Sequence, residues 1–201
     1  MEAPEPANIL TQGFTIPTLI TSLRIVLIPV FAWVFVSGRA DHVAFGLLAT
    51  IGASDWIDGF VARKTGQVSV LGKLLDPVAD RAAIVTVLLA LAFRGTIWWP
   101  VAAAILTRDL IVTVVFIVLE ARGFPRIAVN RTGKAATFAI FAGMGLAVFS
   151  TAFSTGLERQ IGAAALALLS TGAVMYWVAG GLYVAELRRR LKTLPATPGK
   201  F

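Results

Sequence analysis

Long apolar runs separated by short polar breaks decide what this sequence can fold into. A helix needs roughly 20 apolar residues to cross a bilayer, and a lone strand would leave its backbone polar groups unpaired in hydrocarbon. Of the 201 residues, 57% are apolar and 14% are charged, which excludes a disordered chain and disfavours a soluble globule. We therefore predict an all-α, polytopic membrane protein forming a single domain over residues 1–201. Its six transmembrane helices are expected at 17–36, 42–62, 72–93, 97–120, 133–155 and 161–186.

The distribution of basic residues predicts the orientation of these helices. Lysine and arginine concentrate around the second and fourth breaks and in the tail at 188–201. The positive-inside rule then puts both termini in the cytoplasm, and we expect the plasma membrane as the location. Residues 1–16 are expected to form a short juxtamembrane segment in the interface. The net charge of +7 suits anionic lipid headgroups, so no nucleic-acid partner is expected. The chain has no cysteine, which excludes disulfides and thiolate metal sites.

Two pairs of aspartates lie where a membrane helix should be apolar. Asp55 and Asp58 are near the end of the second run, and Asp76 and Asp80 are near the start of the third. Spacings of three and four put each pair on one helix face. The short connection makes the two helices antiparallel neighbours, so both pairs can converge at the cytoplasmic end. A carboxylate in the bilayer is costly unless it is paired or hydrated.

Divalent cations would compensate four converging carboxylates. Oxygen-only ligands favour Mg²⁺ or Mn²⁺. The alternative is that Arg63, Lys73 and Arg81 neutralise the aspartates, but this does not explain two matched pairs at membrane depth.

The segment from residue 55 to residue 80 reads D-x-x-D-G-x-x-A-R, eight residues, then G-x-x-x-D-x-x-x-D. This pattern resembles the signature of the CDP-alcohol phosphatidyltransferases, a family of six-helix membrane enzymes. All signature positions are matched: Asp55, Asp58, Gly59, Ala62, Arg63, Gly72, Asp76 and Asp80.

The resemblance implies that the enzyme transfers a phosphatidyl group from CDP-diacylglycerol to an alcohol and releases CMP. It implies that the aspartates bind two metal ions and that Asp80 also acts as general base on the acceptor hydroxyl. A two-metal clamp would neutralise the reacting phosphoryl oxygens and the leaving group, and the base would activate the alcohol. Direct displacement is favoured over a phosphatidyl-enzyme. The CDP-lipid is expected along Gly59, Ala62, Arg63, Ser69 and Gly72.

Residues outside the signature must bind the acceptor. Thr21 and Arg24 share a face of the first helix. Arg24 needs a partner or a phosphate inside the bilayer, or it extends to the interface. Arg108 precedes Asp109 in the fourth run, where it faces the cavity or forms a structural pair with this aspartate. Lys134, at the start of the fifth run, binds an acceptor phosphate or is a flanking cation.

The flanking segments are similar to the branch that makes glycerol-based anionic lipids. Arg108-Asp109 and the segment Gly133 to Thr137 fit this branch, whereas Pro17-Thr18 departs from its usual Pro-Asn. Glycerol 3-phosphate, which would give phosphatidylglycerol phosphate, is the first acceptor candidate. Phosphatidylglycerol, which would give cardiolipin, is the alternative. An inositol phosphate acceptor fits less well.

Two other classes of membrane protein also carry aspartates within their helices. An intramembrane prenyltransferase also uses aspartate pairs, but usually on helices far apart in sequence. A small transporter should show a duplicated pattern, and the aspartate cluster is not repeated.

Small residues every four positions, from Ala135 to Ala147, predict close helix packing, either internal or in a homodimer.

Overall fold

The computed structural model describes residues 16–65, 70–121, 131–153 and 156–193, and in this part of the chain all regular structure is helical. The side chains of 16–18, 55–56, 58–65, 70–74, 120 and 186–193 are outside this description. Six helices follow one another: α1 (Ile16–Ser37), α2 (Asp41–Thr65), α3 (Val70–Phe93), α4 (Trp99–Ala121), α5 (Arg131–Ala152) and α6 (Glu158–Thr193).

The predicted all-α class and the six apolar runs correspond to these six helices. Most bounds agree within three residues, and α6 continues seven residues past its predicted end, to Thr193. Among the described residues, four helices, α1, α4, α5 and α6, are long and apolar enough to cross a membrane. Helices α2 and α3 have 25 and 24 residues, and each carries two of the signature aspartates. The predicted juxtamembrane segment and the end of the basic tail lie almost wholly outside the described residues.

Helix α1 packs against both α2 and α3, and α5 and α6 form an extensively packed antiparallel hairpin. Contacts of α2 with α5, of α3 with α4 and α5, and of α4 with α6 join these groups into one bundle. The largest fully buried apolar side chains come from α1, α3, α4, α5 and α6: Phe31, Phe35, Leu88, Leu91, Ile105, Leu169 and Val148.

An ion pair fixes the bundle at the end that holds the α1–α2 and α3–α4 turns. Arg94 donates from both terminal nitrogens to the two oxygens of Asp41, at 2.5 and 2.6 Å. Its guanidinium also lies 4.6 Å from the centre of the Phe35 ring. Gly38 and Gly95 have φ values of 65° and 72°, a left-handed conformation that glycine adopts without steric cost. These contacts clamp α1, α2 and α3 together at this end.

Small residues let α5 and α6 approach each other closely. A Cβ atom at Gly143 would lie 2.7 Å from Cγ of Leu169, and one at Gly172 would lie 2.9 Å from Cγ1 of Ile140. The buried face of α5 includes Gly143 and Ala147 from the predicted small-residue pattern, whereas Ala135 is exposed. That pattern therefore contributes to internal packing. A homodimer remains a prediction.

Gly143→Ala should destabilise the protein, because its new methyl group would collide with the branched carbon of Leu169. Overpacking of this kind costs about 1–3 kcal/mol, partly offset by the better helix propensity of alanine. The thermal unfolding midpoint in detergent measures the effect. Gly145→Ala is the matched control, because nothing lies within 4 Å of a Cβ atom there. Equal midpoints for the two variants would contradict the close approach of α5 and α6.

Candidate functional site

The described half of the aspartate cluster lies on α3 and is held by α1. Asp76 and Asp80 are one helical turn apart on α3. Thr21 Oγ1 donates to Asp76 Oδ1 at 2.5 Å, and Arg24 Nη1 donates to Asp80 Oδ1 at 2.9 Å. Thr21 and Arg24, which share one face of α1, therefore bond to Asp76 and Asp80, which share one face of α3.

Arg24 is the most deeply buried of the described charged residues of the site, with 1% of its side chain exposed, whereas 47% of Asp80 is exposed. Its guanidinium is bonded inside the helix bundle. Its Nε also donates to Ser54 Oγ on α2 at 3.3 Å, and Ser54 directly precedes Asp55. One guanidinium thus joins α2, at the first aspartate segment, to α3, at the second. This geometry supports the predicted convergence of the two aspartate pairs.

Several predicted site residues lie outside the described part of the chain. The structure describes the backbone of α2 through Asp55 and Asp58 but not these side chains, and the same holds for Gly59, Ala62, Arg63 and Gly72. Ser69 lies in the undescribed segment 66–69. Within the described residues, no group of three or more possible metal ligands is found. The roles of these residues remain predictions.

A second polar group joins α3, α4 and α6 next to the aspartates. Arg81, which follows Asp80, forms an ion pair with Asp109 on α4. Tyr176 on α6 donates its hydroxyl to the same Asp109 Oδ1 at 2.8 Å. Arg108 Nε donates to the backbone oxygen of Tyr176 at 3.0 Å, and its guanidinium lies 3.5 Å from the centre of the Tyr176 ring.

This second group answers the question that the sequence left open for Arg108 and Asp109. The two neighbours do not pair with each other: Asp109 binds Arg81, and Arg108 packs on α6. In the described part of the chain, no hydrogen bond or ion pair joins Arg108 to Asp76 or Asp80. The alternative prediction was that Arg81 helps to neutralise the aspartate pairs. In this structure Arg81 pairs with Asp109 instead.

Ser54 and Tyr176 are not among the site residues predicted from the sequence. Ser54 had one signal, its position immediately before the first aspartate of the signature. Tyr176 had none, since tyrosine in an apolar helix is ordinary. Lys134 lies exposed in the first turn of α5, and within the described residues it forms no bond with the α3 aspartates.

Apolar cavities lie between the described helices. One, of about 360 Å³, lies between α2, α3 and α5 and is lined by residues such as Leu48, Ala83 and Met144. The other, of about 260 Å³, lies between α4 and α6 and extends from Arg108 to Leu119 and Val184. Space with apolar walls beside buried polar groups suits the binding of an amphiphilic ligand.

The chain matches the family model of the CDP-alcohol phosphatidyltransferases over residues 14–184. It is 34% identical to the cardiolipin synthase (CMP-forming) of Streptomyces coelicolor, over 89% of this chain and 85% of that protein. It is 32% identical to a putative cardiolipin synthase of Mycobacterium tuberculosis, over 98% of this chain and 93% of that protein. It is also 32% identical to a probable phosphatidylglycerophosphate synthase of the same organism, over 85% and 80%.

The chain therefore belongs to the CDP-alcohol phosphatidyltransferase family. The resemblance drawn from the aspartate signature is confirmed, and so is the prediction of a CDP-diacylglycerol-dependent phosphatidyltransferase. The relatives include both kinds of enzyme that the flanking segments indicate.

Arg24→Met should lower the rate of CMP release about 10- to 100-fold, a typical effect of removing a partner that orients a metal-binding side chain. The variant keeps an unbranched, flexible side chain but cannot hold Asp80 or bridge to α2. CMP release from CDP-diacylglycerol in detergent is the measurement. Ser54→Ala removes the 3.3 Å bond from Arg24 Nε and a local bond of the hydroxyl to the Ile51 oxygen, and it should change the rate by no more than about threefold. Full activity of Arg24→Met would contradict the role of this bridge.

Proposed function

We propose that this protein transfers the phosphatidyl group of CDP-diacylglycerol to a hydroxyl of a glycerol-based acceptor, with glycerol 3-phosphate as the first candidate. The observation that carries the reaction is the bonding of Thr21 and Arg24 to Asp76 and Asp80 in a chain of this family. The product with glycerol 3-phosphate would be phosphatidylglycerol phosphate, and CMP would leave.

The carboxylates suit a pair of divalent cations. Asp76 and Asp80 offer only oxygen ligands, which Mg²⁺ and Mn²⁺ prefer, and Asp55 and Asp58 are proposed to complete the set. A carboxylate has about four lone-pair positions, so the bonds from Thr21 and Arg24 are compatible with coordination. Such bonds to metal ligands fix their orientation. The cations, when bound, would neutralise the charge on the pyrophosphate oxygens.

The chain's own residues have distinct roles in this proposal. Asp80 accepts the proton of the acceptor hydroxyl, and its exposed fraction lets the acceptor approach it. Arg24 orients this carboxylate through its bond to Oδ1. Gly59, Ala62, Arg63, Ser69 and Gly72 are proposed to bind the cytidine diphosphate part of the donor lipid.

We propose the same membrane topology as the sequence predicts. All six helices would cross the membrane, including α2 and α3, whose aspartates would face the interior of the bundle, where ionisable residues of membrane helices are found. Both termini and the site would then lie on the cytoplasmic side of the plasma membrane.

Glycerol 3-phosphate is supported by the relative named as a probable phosphatidylglycerophosphate synthase. Its phosphate carries close to two negative charges, as a phosphomonoester does near neutral pH. The described cations around the site, Arg24, Arg81 and Arg108, suit such an anion.

Phosphatidylglycerol is the second candidate acceptor, and two observations favour it. The relatives named cardiolipin synthase match over the larger shares of both chains. The apolar cavity between α4 and α6 could accommodate an acyl chain of a lipid acceptor, which a soluble acceptor would not need.

The test is CMP release and lipid product from the purified protein, with CDP-diacylglycerol, Mg²⁺ and one of the two acceptors. Turnover with glycerol 3-phosphate alone supports the first candidate, and turnover with phosphatidylglycerol alone replaces it with the second. Turnover with neither acceptor would overturn the proposed function.

Asp80→Asn should reduce CMP release at least about 1,000-fold with either acceptor, since a general base commonly contributes a factor of 100 to 10,000 and this carboxylate is also a proposed metal ligand. Chelation of divalent cations should stop the wild-type enzyme, and added Mg²⁺ or Mn²⁺ should restore it. Asp41→Asn is the matched control, because Asp41 pairs with Arg94 at the far end of the bundle. Its turnover should stay close to that of the wild type, and Asp80→Asn with equal turnover would exclude the proposed base.

A further inference from the structure

We propose that Arg81 binds the phosphate group of the acceptor and that Asp109 and Tyr176 position it for this role. The inference deepens the proposed function and rests on it. It concerns an anion-binding position outside the signature, built from α3, α4 and α6.

Arg81 directly follows Asp80, the proposed general base, in the sequence. Consecutive Cα atoms are 3.8 Å apart, so Arg81 starts beside Asp80, but its side chain points about 100° further around the helix. Asp80 therefore faces α1, and Arg81 faces α4. An acceptor whose hydroxyl reaches Asp80 has its phosphate, one glycerol unit away, within reach of Arg81.

Much of the Arg81 side chain is accessible. Its side chain is 44% exposed, although it forms an ion pair with Asp109, whose side chain is only 9% exposed. A charged side chain in a membrane helix does not face lipid without a large cost and instead borders the interior or a water-filled cavity. The open side of the Arg81 guanidinium therefore borders polar space.

The polar group formed by Arg81, Arg108, Asp109 and Tyr176 carries more positive than negative charge. Arg81 and Arg108 carry two positive charges, and Asp109 supplies one negative charge. Arg108 and Asp109 are both buried, and Arg108 bonds to a backbone oxygen and packs on an aromatic ring rather than pairing with a carboxylate. Within this group one positive charge is therefore not balanced, at a depth where charges are normally paired. Asp76 and Asp80 do not balance it in this proposal, because they bond to Thr21 and Arg24 and bind the proposed cations. An anionic ligand would complete this balance.

The shape of arginine explains how one side chain serves both partners. A guanidinium has five N–H donors in a planar fork, so one edge binds Asp109 while the others remain available. In the described part of the chain, Arg81 forms this ion pair and no hydrogen bond with another group. The Tyr176 hydroxyl, bonded to the same Asp109 oxygen, fixes the carboxylate and thus the direction of the fork.

The ligand chemistry is a phosphate next to a free glycerol hydroxyl. Glycerol 3-phosphate carries it as a soluble monoester, and phosphatidylglycerol carries it as a lipid diester. Separate assays with these two compounds distinguish the sources.

The decisive variant replaces both partners, Arg81→Gln with Asp109→Asn. The double change leaves no uncompensated buried carboxylate, whereas removal of one member of a buried pair is strongly destabilising. We expect a folded protein with the KM for the acceptor raised about 10- to 100-fold, the loss typical of a hydrogen bond between charged groups. The KM for CDP-diacylglycerol should stay nearly unchanged. A wild-type acceptor KM would show that Arg81 only neutralises Asp109 and would overturn the inference.

The positioning role is read from Tyr176→Phe, which keeps the ring against Arg108 and removes the hydroxyl. It should raise the acceptor KM about 3- to 10-fold, with kcat little changed. With glycerol 3-phosphate as the acceptor, Trp177→Phe is the matched control, since Trp177 joins the same two helices through a bond to the Ala104 oxygen at 3.1 Å. Equal KM values in the two variants would refute positioning by Tyr176.

A binding measurement separates failure of this inference from failure of the proposed function. The unfolding midpoint of the wild type should rise with glycerol 3-phosphate or inorganic phosphate, even without turnover, and that of the double variant should not. If neither acceptor is turned over but this difference appears, the reaction is wrong and the anion-binding position stands. If turnover occurs and both proteins respond equally, the inference about Arg81 is wrong and the proposed function stands.

Discussion

The buried guanidinium of Arg24 is the contact on which the arrangement of the first three helices depends. A cation inside a membrane bundle must have anionic or polar partners at the same depth, and Arg24 has them in Asp80 and Ser54. These bonds fix how far α2 and α3 slide along α1. Because the partners sit within the two aspartate segments, the requirement to pair one charge also assembles the site.

Most of the helical architecture could be predicted from the sequence because its cause is local. Apolar runs of about 20 residues interrupted by short polar breaks leave few alternatives in a bilayer, and the six helix positions followed from them. The pairing of aspartates on one face followed from spacing alone.

The contacts within the site could not be predicted, because they join residues far apart in sequence. Arg24 and Asp80 are separated by 56 positions, and Tyr176 and Asp109 by 67. A sequence shows that Arg24 and Asp109 need partners but not which helix provides them. Spacing also left the neighbours Arg108 and Asp109 ambiguous, and only the packing of α4 between α3 and α6 separates their roles. The extension of α6 past the last apolar turn had no boundary signal, since good helix formers such as Glu186, Leu187 and Arg188 continue it.

The clamp formed by Arg94, Asp41 and Phe35 has a consequence for how such a protein can change over evolution. It holds α1, α2 and α3 at one end, beside much of the apolar core, and none of its atoms takes part in the bonding around the aspartates. The contacts that hold these helices together and the residues of the candidate site thus lie at different ends of the same helices. If the acceptor binds as proposed, substitutions near Arg81 or Tyr176 would alter which alcohol is accepted while the clamp preserves the fold. A scaffold divided in this way can keep one reaction and acquire new acceptors, since function resides in the site that a fold carries.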